Sequence, residues 1–168
     1  VQERQATRKQ AGLFDVSHMG EIRVRGNKAV EFIERAVTRE VWDQKTGGMR
    51  YALLCNEQGG IVDDLMVYRV AGDDFLLVVN AGPKDEDLRR LEGYAGGWGM
   101  EVEITDETEG LAKIDIQGPL AVETGCEVLG EWASGLRPFR FDEKEGVLVS
   151  RSGYTGEDGL EIYVPKER

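Results

Sequence analysis

The chain carries one short pattern twice, and this repetition constrains its fold more than any other feature of the sequence. Val24–Glu31 and Ile116–Glu123 both read aliphatic-x-Gly-x-x-Ala-Val-Glu, and their glycines, Gly26 and Gly118, lie 92 positions apart. Alternating residues before the first glycine indicate a strand, and the apolar spacing after it indicates a helix. Two such units predict a pseudo-symmetric α+β core with similar halves.

The sequence between the repeats predicts a hairpin, a further strand and a helix. Met49–Cys55 and Ile61–Val70 are apolar runs that flank the turn-rich residues 56–60, which is typical of a hairpin. Phe75–Val79 reads as a buried strand, and a helix is predicted to begin near Pro83. These elements all lie within the segment that separates the two copies of the repeat.

The position of the repeats suggests how the chain divides into domains. We expect residues 1–46 and 108–168 to form one α+β domain, because each segment contains one copy. Residues 47–107 are expected to form an inserted ferredoxin-like subdomain. A second hairpin is predicted from Gly146–Arg151 and Leu160–Val164, within the last segment.

Composition narrows the classes of partner. The chain has 168 residues, of which 40% are hydrophobic, and its 21 basic and 32 acidic residues give a net charge of −11. This excess of acids argues against a nucleic-acid partner, because binding to a phosphate backbone requires cationic side chains. No run approaches the ~18 apolar residues of a membrane span, and the polar start lacks the apolar core of a signal peptide. We therefore expect a soluble, intracellular protein without a membrane partner.

Metal and hydrolase chemistry have little support in the sequence. His18 is the single histidine, and the two cysteines, Cys55 and Cys126, are far apart. No zinc-site spacing exists, so we predict no metal. A hydrolase would have to use His18, and no Gly-x-Ser-x-Gly nucleophile elbow is present.

Two adjacent acids in an apolar strand are the first candidates for chemistry. Asp63 and Asp64 lie in the predicted strand Ile61–Val70, although Asp is depleted in strands. Because strand side chains alternate, Asp63 shares a face with Leu65 and Asp64 shares one with Met66, so at least one carboxylate faces apolar surroundings. Such an acid requires a donor or a cation beside it. The alternative is that both acids lie in the turn before the strand and are solvated.

Four motifs in a fixed order carry a resemblance to a known family. They are Gly12–Glu21, Gly59–Leu65, Val78–Ala81 and Gly153–Ile162. Together they resemble the aminomethyltransferases, the T-proteins of the glycine cleavage system, along nearly the whole chain. Members of that family are considerably longer, so we expect the rest of the folate domain and the family's C-terminal β-domain to be absent here.

The resemblance implies a folate-binding fold and transfer of a one-carbon unit in glycine catabolism. Tetrahydrofolate, the co-substrate, would attack the aminomethyl group carried on the lipoyl arm of the H-protein. The products would be methylene-tetrahydrofolate, ammonia and the dihydrolipoyl arm. The implied partners are folate and lipoylated H-protein, and the implied location is the cytoplasm, or the mitochondrial matrix in a eukaryote. The chain alone is expected to be inactive, because one wall of the folate cavity would be missing.

The resemblance also assigns roles to the two carboxylates at the ends of the folate site. Asp64 corresponds to the acid beside the reacting end of folate, where it would stabilise positive charge on the attacking nitrogen. Asp63 is then expected to be structural. Glu161 would accept two parallel donors from the pterin, much as a carboxylate accepts arginine, and we expect it to face an opening. Without the resemblance, Glu161 would be a solvated strand residue.

Three further residues match folate-contacting positions of the family: Asn80, Tyr51 and Tyr154. Each residue also has a structural interpretation. Asn80 would bond to loop backbone at the end of a strand, and the two tyrosines would pack in the hydrophobic core. If all five candidates serve one folate, we expect them to converge on a single cavity.

Two other functions remain open at this stage. The folate domain of a sarcosine or dimethylglycine dehydrogenase is similar to the T-proteins, and a folate-binding module without catalysis belongs to a different class. Iron–sulfur-maturation relatives carry a Lys-Gly-Cys-Tyr-x-Gly-Gln-Glu signature. This chain has Ser152–Glu157 in its place, without a cysteine, which argues against that reading.

Overall fold

The computed structural model describes residues 2–167, and this part of the chain contains four α-helices and ten β-strands. The helices are α1 Gln2–Lys9, α2 Ala29–Ala36, α3 Lys84–Trp98 and α4 Ala121–Leu129. The strands are β1 Gly12–Asp15, β2 Gly20–Arg25, β3 Gly48–Cys55, β4 Ile61–Ala71, β5 Asp74–Val79, β6 Glu103–Asp106, β7 Leu111–Gln117, β8 Phe141–Lys144, β9 Val147–Ser150 and β10 Gly159–Pro165. Short 3₁₀ helices span Thr108–Gly110 and Glu131–Gly135. No helix in the described part is long and apolar enough to cross a membrane.

The strands form two five-stranded antiparallel sheets, one in each of two compact units. The first unit joins Val1–Ser17 to Gly110–Arg168, and its sheet has the order β1-β7-β10-β9-β8. The second unit is the continuous segment His18–Glu109, and its sheet has the order β3-β4-β5-β2-β6. The fold is therefore α+β, as predicted.

The second unit has a ferredoxin-like arrangement with one additional strand. Its elements follow the order β2-α2-β3-β4-β5-α3-β6, which is a β-α-β-β-α-β unit with an extra strand in its central hairpin region. The apolar sides of α2 and α3 bury Phe32, Ile33 and Leu91 against strand residues such as Ile22 and Leu77. This core positions the start of α3 beside the ends of the central strands.

The compact units differ from the domains predicted from the sequence. Residues 18–46 were expected to join 108–168, but they belong to the second unit. The reason is strand pairing, because β2 lies between β5 and β6 and bonds to both, with Ile22 opposite Leu77 on one side and Asp106 on the other. The two copies of the repeat consequently lie in different units.

Within each copy, the local structure is the predicted strand, glycine turn and helix. Gly26 has a φ of 124° and Gly118 a φ of 139°, a region that an L side chain rarely adopts. In both turns the residue three positions on donates its N–H to the glycine carbonyl, at 2.8 Å from Ala29 and 3.0 Å from Ala121. The repeat therefore reflects a shared local turn and not a shared sheet.

The predicted hairpins are confirmed. β3 pairs with β4, and β9 pairs with β10. The helix predicted to begin near Pro83 is α3, which begins at Lys84 and ends at Trp98, where Gly99 caps it in the left-handed conformation.

The sheet of the first unit is apolar on one face and polar on the other. Ile116, Leu160 and Ile162 pack with Ala121 of α4 on the apolar face. The opposite face carries polar side chains of β7 and β10 that are nevertheless buried, and one of them is the predicted site residue Glu161.

Candidate functional site

The two adjacent acids lie within β4 and point to opposite faces of the sheet. Asp63 is 6% exposed and shares the core face with Leu65, whereas Asp64 is exposed. The alternative that both acids lie in the preceding turn is therefore wrong, and one carboxylate does face the core. Pairing decides this, because Asp63 lies opposite Leu54 and Asp64 opposite Leu53 in the β3–β4 ladder.

Asn80 joins the two acids. It follows directly after β5, and its backbone N–H and side-chain amide both donate to Asp63, at 2.9 and 2.8 Å. The same amide nitrogen, Nδ2, lies 3.1 Å from Oδ1 of Asp64 and 3.0 Å from the Asp64 carbonyl oxygen. These bonds give the buried acid the donors it requires and orient the exposed one.

Tyr51 lies on the same face of the sheet as Asp64. It is opposite Met66 in the β3–β4 ladder and therefore diagonal to Asp64, a separation that an aromatic side chain can bridge. Its ring is 54% exposed. Partial desolvation, together with the nearby Asp64 carboxylate and a hydrogen bond to it, raises the pKa of the Tyr51 hydroxyl. We call Tyr51, Asp63, Asp64 and Asn80 the Asp64 cluster.

A third acid, Asp87, lies beneath this cluster. It belongs to the first turn of α3, is fully buried, and receives no hydrogen bond on either carboxyl oxygen from any described residue. Burial, a hydrogen bond with Asp63 and the charge of Asp63 raise the pKa of Asp87 to about 7. Asp87 was not among the site residues predicted from the sequence, although its spacing of four residues from Leu91 places it on the inner face of the helix.

In the first unit, Glu161 is the centre of a buried polar network and does not face an opening as predicted. It is 7% exposed, and it accepts hydrogen bonds from Ser152 on Oε1 at 2.8 Å and from Tyr163 on Oε2 at 3.1 Å. The Lys113 ammonium lies 3.1 Å from Oε2 and also contacts both oxygens of Asp115, at 3.0 and 3.2 Å. We call these residues the Glu161 network.

The cause of this burial is the neighbouring strand. Glu161 is opposite Asp115, and Tyr163 is opposite Lys113 in the β10–β7 ladder, so all four share one face. Lys113 and Asp115 were not predicted as site residues, although the alternation Lys113-Ile114-Asp115-Ile116 indicates that they share one strand face.

The electrostatics of the Glu161 network follow from two carboxylates and one cation. Burial by itself lowers the pKa of Lys113, but the carboxylates of Glu161 and Asp115 outweigh it, so that pKa is raised. Burial raises the pKa of Asp115 to about 6, against the lowering effect of Lys113. The network therefore contains one excess carboxylate that is costly to ionise.

Tyr154 lies on the loop that leads into β10, and its side chain is 61% exposed. Its ring meets that of Phe14 edge-on, with centroids 6.2 Å apart, and both line a surface pocket of about 380 Å³. Burial and the Asp115 carboxylate raise the pKa of the Tyr154 hydroxyl. The loop wraps around the buried Gln117, whose amide donates to the Ser152 carbonyl at 3.3 Å.

The five predicted site residues thus fall into two groups. Tyr51, Asp64 and Asn80 are together in the second unit, and Tyr154 and Glu161 are together in the first. Convergence of the two groups on one cavity stays a prediction. Among residues 2–167, no group of three His, Cys, Asp or Glu side chains is arranged to hold a metal ion.

Comparison with known proteins identifies the family. Residues 1–168 match the profile of the GCVT N-terminal domain. An aminomethyltransferase of Clostridium botulinum is 41% identical over 172 aligned residues, which cover 99% of this chain and 46% of that protein. The chain thus spans about half the length of the curated relatives it matches.

Solved structures agree. The crystal structure of the glycine cleavage system aminomethyltransferase T from Bartonella henselae matches with a TM-score of 0.87 and 39% identity, over 98% of this chain and 44% of that one. The heterotetrameric sarcosine oxidase from Corynebacterium sp. U-96 matches with a TM-score of 0.61 over 95% of this chain and 80% of that one, but its 19% identity supports a common fold alone. Because the family profile covers the chain from end to end, the chain belongs to the GCVT N-terminal domain family, and the resemblance predicted from its four motifs is confirmed.

Proposed function

We propose that this protein acts in aminomethyl transfer, the activity for which its relatives are named, and that the acceptor is tetrahydrofolate, as the resemblance implies. The observation that carries the proposal is the Asp64 cluster, in which an exposed carboxylate is oriented by Asn80 in a chain of this family. The carboxylate has a hydroxyl beside it from Tyr51, and the core lies behind it. Such a fixed anion suits a reaction in which positive charge develops nearby.

Asp64 would act electrostatically on the attacking nitrogen of tetrahydrofolate. As tetrahydrofolate attacks the aminomethyl group of the lipoyl arm, the attacking nitrogen gains positive charge. A carboxylate already held in place stabilises that charge better than water, which must reorient. Asp64 need not transfer a proton in this step. The chain's contribution at this end is thus to hold an anion in position.

The residues of the first unit would bind the pterin. Glu161 carries an ionisable carboxylate suited to two parallel donors, although it already accepts bonds from Ser152 and Tyr163, so pterin binding would have to share or replace some of them. The exposed ring of Tyr154 offers apolar contact and a hydroxyl. Tyr51 would do the same in the second unit.

The proposed reaction requires two partners, lipoylated H-protein and folate. Lipoylated H-protein would deliver the aminomethyl group, and folate would receive the carbon. We expect the cytoplasm as the location, or the mitochondrial matrix in a eukaryotic source. The likeness to sarcosine oxidase is one of fold, so it gives no specific support to the alternative of a flavin-linked demethylating enzyme. A non-catalytic folate module differs from our proposal only in turnover.

Asp64→Asn in the complete protein that carries these residues tests the proposal. We expect kcat to fall on the order of 10²–10³-fold, because one such electrostatic contact contributes about 3–4 kcal/mol in the transition state. Folate affinity, measured by calorimetry, should change little. Asp73→Asn is the matched control, since Asp73 is an exposed acid in the turn after β4 and should tolerate the change. Equal turnover in both variants would refute the role of Asp64.

A further inference from the structure

Asp87, the acid beneath the Asp64 cluster, takes no direct part in the proposed reaction. Asp87 is fully buried, and no described donor reaches either of its carboxyl oxygens. The partner that it does contact is another carboxyl group, that of Asp63. Two carboxyl groups can hydrogen-bond only if one of them is protonated, because an ionised carboxylate is an acceptor alone.

The bonds already made by Asp63 show which acid carries the proton. Both oxygens of Asp63 accept from Asn80, Oδ2 from the backbone N–H and Oδ1 from the side-chain amide. Asp63 is therefore the acceptor in this pair, since both of its oxygens already accept from N–H groups. Asp87 has no such donors and is more deeply buried, so the neutral acid is Asp87.

We propose that Asp87 is a positioning residue whose protonated carboxyl group donates a hydrogen bond to Asp63, and so holds the Asn80 amide against Asp64. This inference rests on the proposed function only for its consequence in turnover. The chain of contacts runs from α3 through β4 to the residue after β5, and it ends on the exposed carboxylate. Asp87 touches none of the reacting atoms in this scheme.

Other charges near Asp87 determine when it keeps its proton. Asp63 on β4 and Glu86 on α3 favour the neutral form, whereas Arg90 on α3 opposes it. Burial is the largest contribution, and the pKa of about 7 means that the proton is lost around neutral pH. Loss of the proton would set two carboxylates against each other and release Asn80.

Nuclear magnetic resonance of the chain tests the contact directly. Asparagine occurs only at positions 27, 56 and 80, so labelling with ¹⁵N-asparagine yields three side-chain amide groups. We expect the Asn80 amide signal to shift with a midpoint near pH 7 in the wild-type chain. Asn56 bonds within its own turn and should not shift, which makes it the internal control.

Two variants show whether Asp87 acts by donating a hydrogen bond or only by filling space. Asp87→Asn adds a fourth labelled amide, retains a donor and cannot ionise, so the Asn80 signal should stay at its low-pH position at every pH. Asp87→Ala removes the donor, and the Asn80 side-chain protons should exchange faster with water. If the Asn80 titration persists in Asp87→Asn, the proposal is wrong.

Turnover in the complete protein gives the second measurement. Asp87→Ala should lower kcat about 10-fold or more with KM for folate nearly unchanged, and Asp87→Asn should keep kcat within about twofold. If the protein transfers the aminomethyl group but the Asn80 signals are the same in both variants as in the wild type, this inference is wrong and the proposed function stands. The converse result, in which the signals respond but the wild-type protein has no turnover, would refute the function and uphold the contact.

Discussion

Acidic residues in this protein differ in burial and in hydrogen-bond partners according to the face on which they lie. Asp63 and Asp64 are neighbours in sequence, yet one is buried with two donors and the other is exposed. Asp87 and Asp115 are buried with too little compensation, and both have raised pKa values. At this scale, burial and the number of nearby donors determine what an acid can do.

The first prediction concerns the dependence of stability on pH. The raised pKa of about 7 means that folded Asp87 keeps a proton that the unfolded chain, with its ordinary pKa of 3.8, has lost. Stability therefore falls as pH rises between these values. Asp87→Asn lacks this fall, so relative to wild type it should gain up to about 4 kcal/mol in free energy of unfolding between pH 4 and pH 8. Urea titrations across this range measure it, and parallel curves for the two proteins would contradict it.

A second prediction concerns the turn before α4. Gly118 has a φ of 139°, and a Cβ atom there would overlap the backbone carbonyl oxygens of Gln10 and Thr7. We expect Gly118→Ala to lower the free energy of unfolding by about 3 kcal/mol or more, because backbone atoms cannot yield as a flexible side chain can. The control is Gly135→Ala in the same unit, where a Cβ would meet no atom within 4 Å. Similar losses in the two variants would show that the turn is not constrained.

In both units one candidate acid lies on the strand face opposite the apolar core, Asp64 in β4 and Glu161 in β10. In β4, the face opposite the core presents Asp64, and in β10 the face opposite Leu160 presents Glu161. The two differ because Asp64 remains exposed, whereas Glu161 is enclosed with side chains of β7. An element thus decides which side chains share a face, but its neighbours decide which of them are accessible.

The Glu161 network gives a prediction about paired strands. Lys113 is the cation between Asp115 and Glu161, and it is 2% exposed. Lys113→Met should lower the free energy of unfolding by about 3–5 kcal/mol, because it leaves two buried carboxylates without their cation. Lys28→Met removes an exposed cation from a pair with Glu31 and should cost less than about 1 kcal/mol. Chemical denaturation of both variants distinguishes a buried network from a surface ion pair, and comparable losses would contradict the distinction.

The whole molecule consists of two units that are interleaved in sequence. The second unit is continuous, and it contains a complete sheet and a core of its own. The first unit is assembled from the two ends of the chain. Because the second unit is one continuous segment, it can be produced as a separate peptide, and its boundaries can be tested by experiment.

The boundary itself can be tested with two peptides. Residues 18–109 include β2 between β5 and β6, so we expect this peptide to fold and to unfold cooperatively on heating. Residues 47–107, the subdomain predicted from the sequence, lack β2 and α2, so β6 would have no strand partner and the core would lose Phe32 and Ile33. Circular dichroism should show a cooperative transition in the first peptide alone. A cooperative transition in the peptide of residues 47–107 would favour the boundary that was predicted from the sequence.

Local features of this protein were predictable from its sequence, because they depend on nearby residues. The two glycine turns, both hairpins and the division of Asp63 and Asp64 between opposite faces follow from turn chemistry and strand alternation. The four motifs were enough to recognise the family, since their order and spacing do not depend on knowing the fold. These features needed no information about contacts distant in the chain.

Tertiary structure decided the rest, since pairing and burial depend on residues far apart in sequence. Nothing near β2 indicates that it joins β5 and β6 and not the sheet that holds the second repeat. Glu161 is enclosed because Asp115 lies opposite it in the β10–β7 ladder and Lys113 lies opposite Tyr163 on the same face. Asp87 is a buried acid only because α3 packs its inner face against the sheet that carries Asp63. A residue's pattern in sequence indicates its face, but only the neighbouring strand or helix determines its environment.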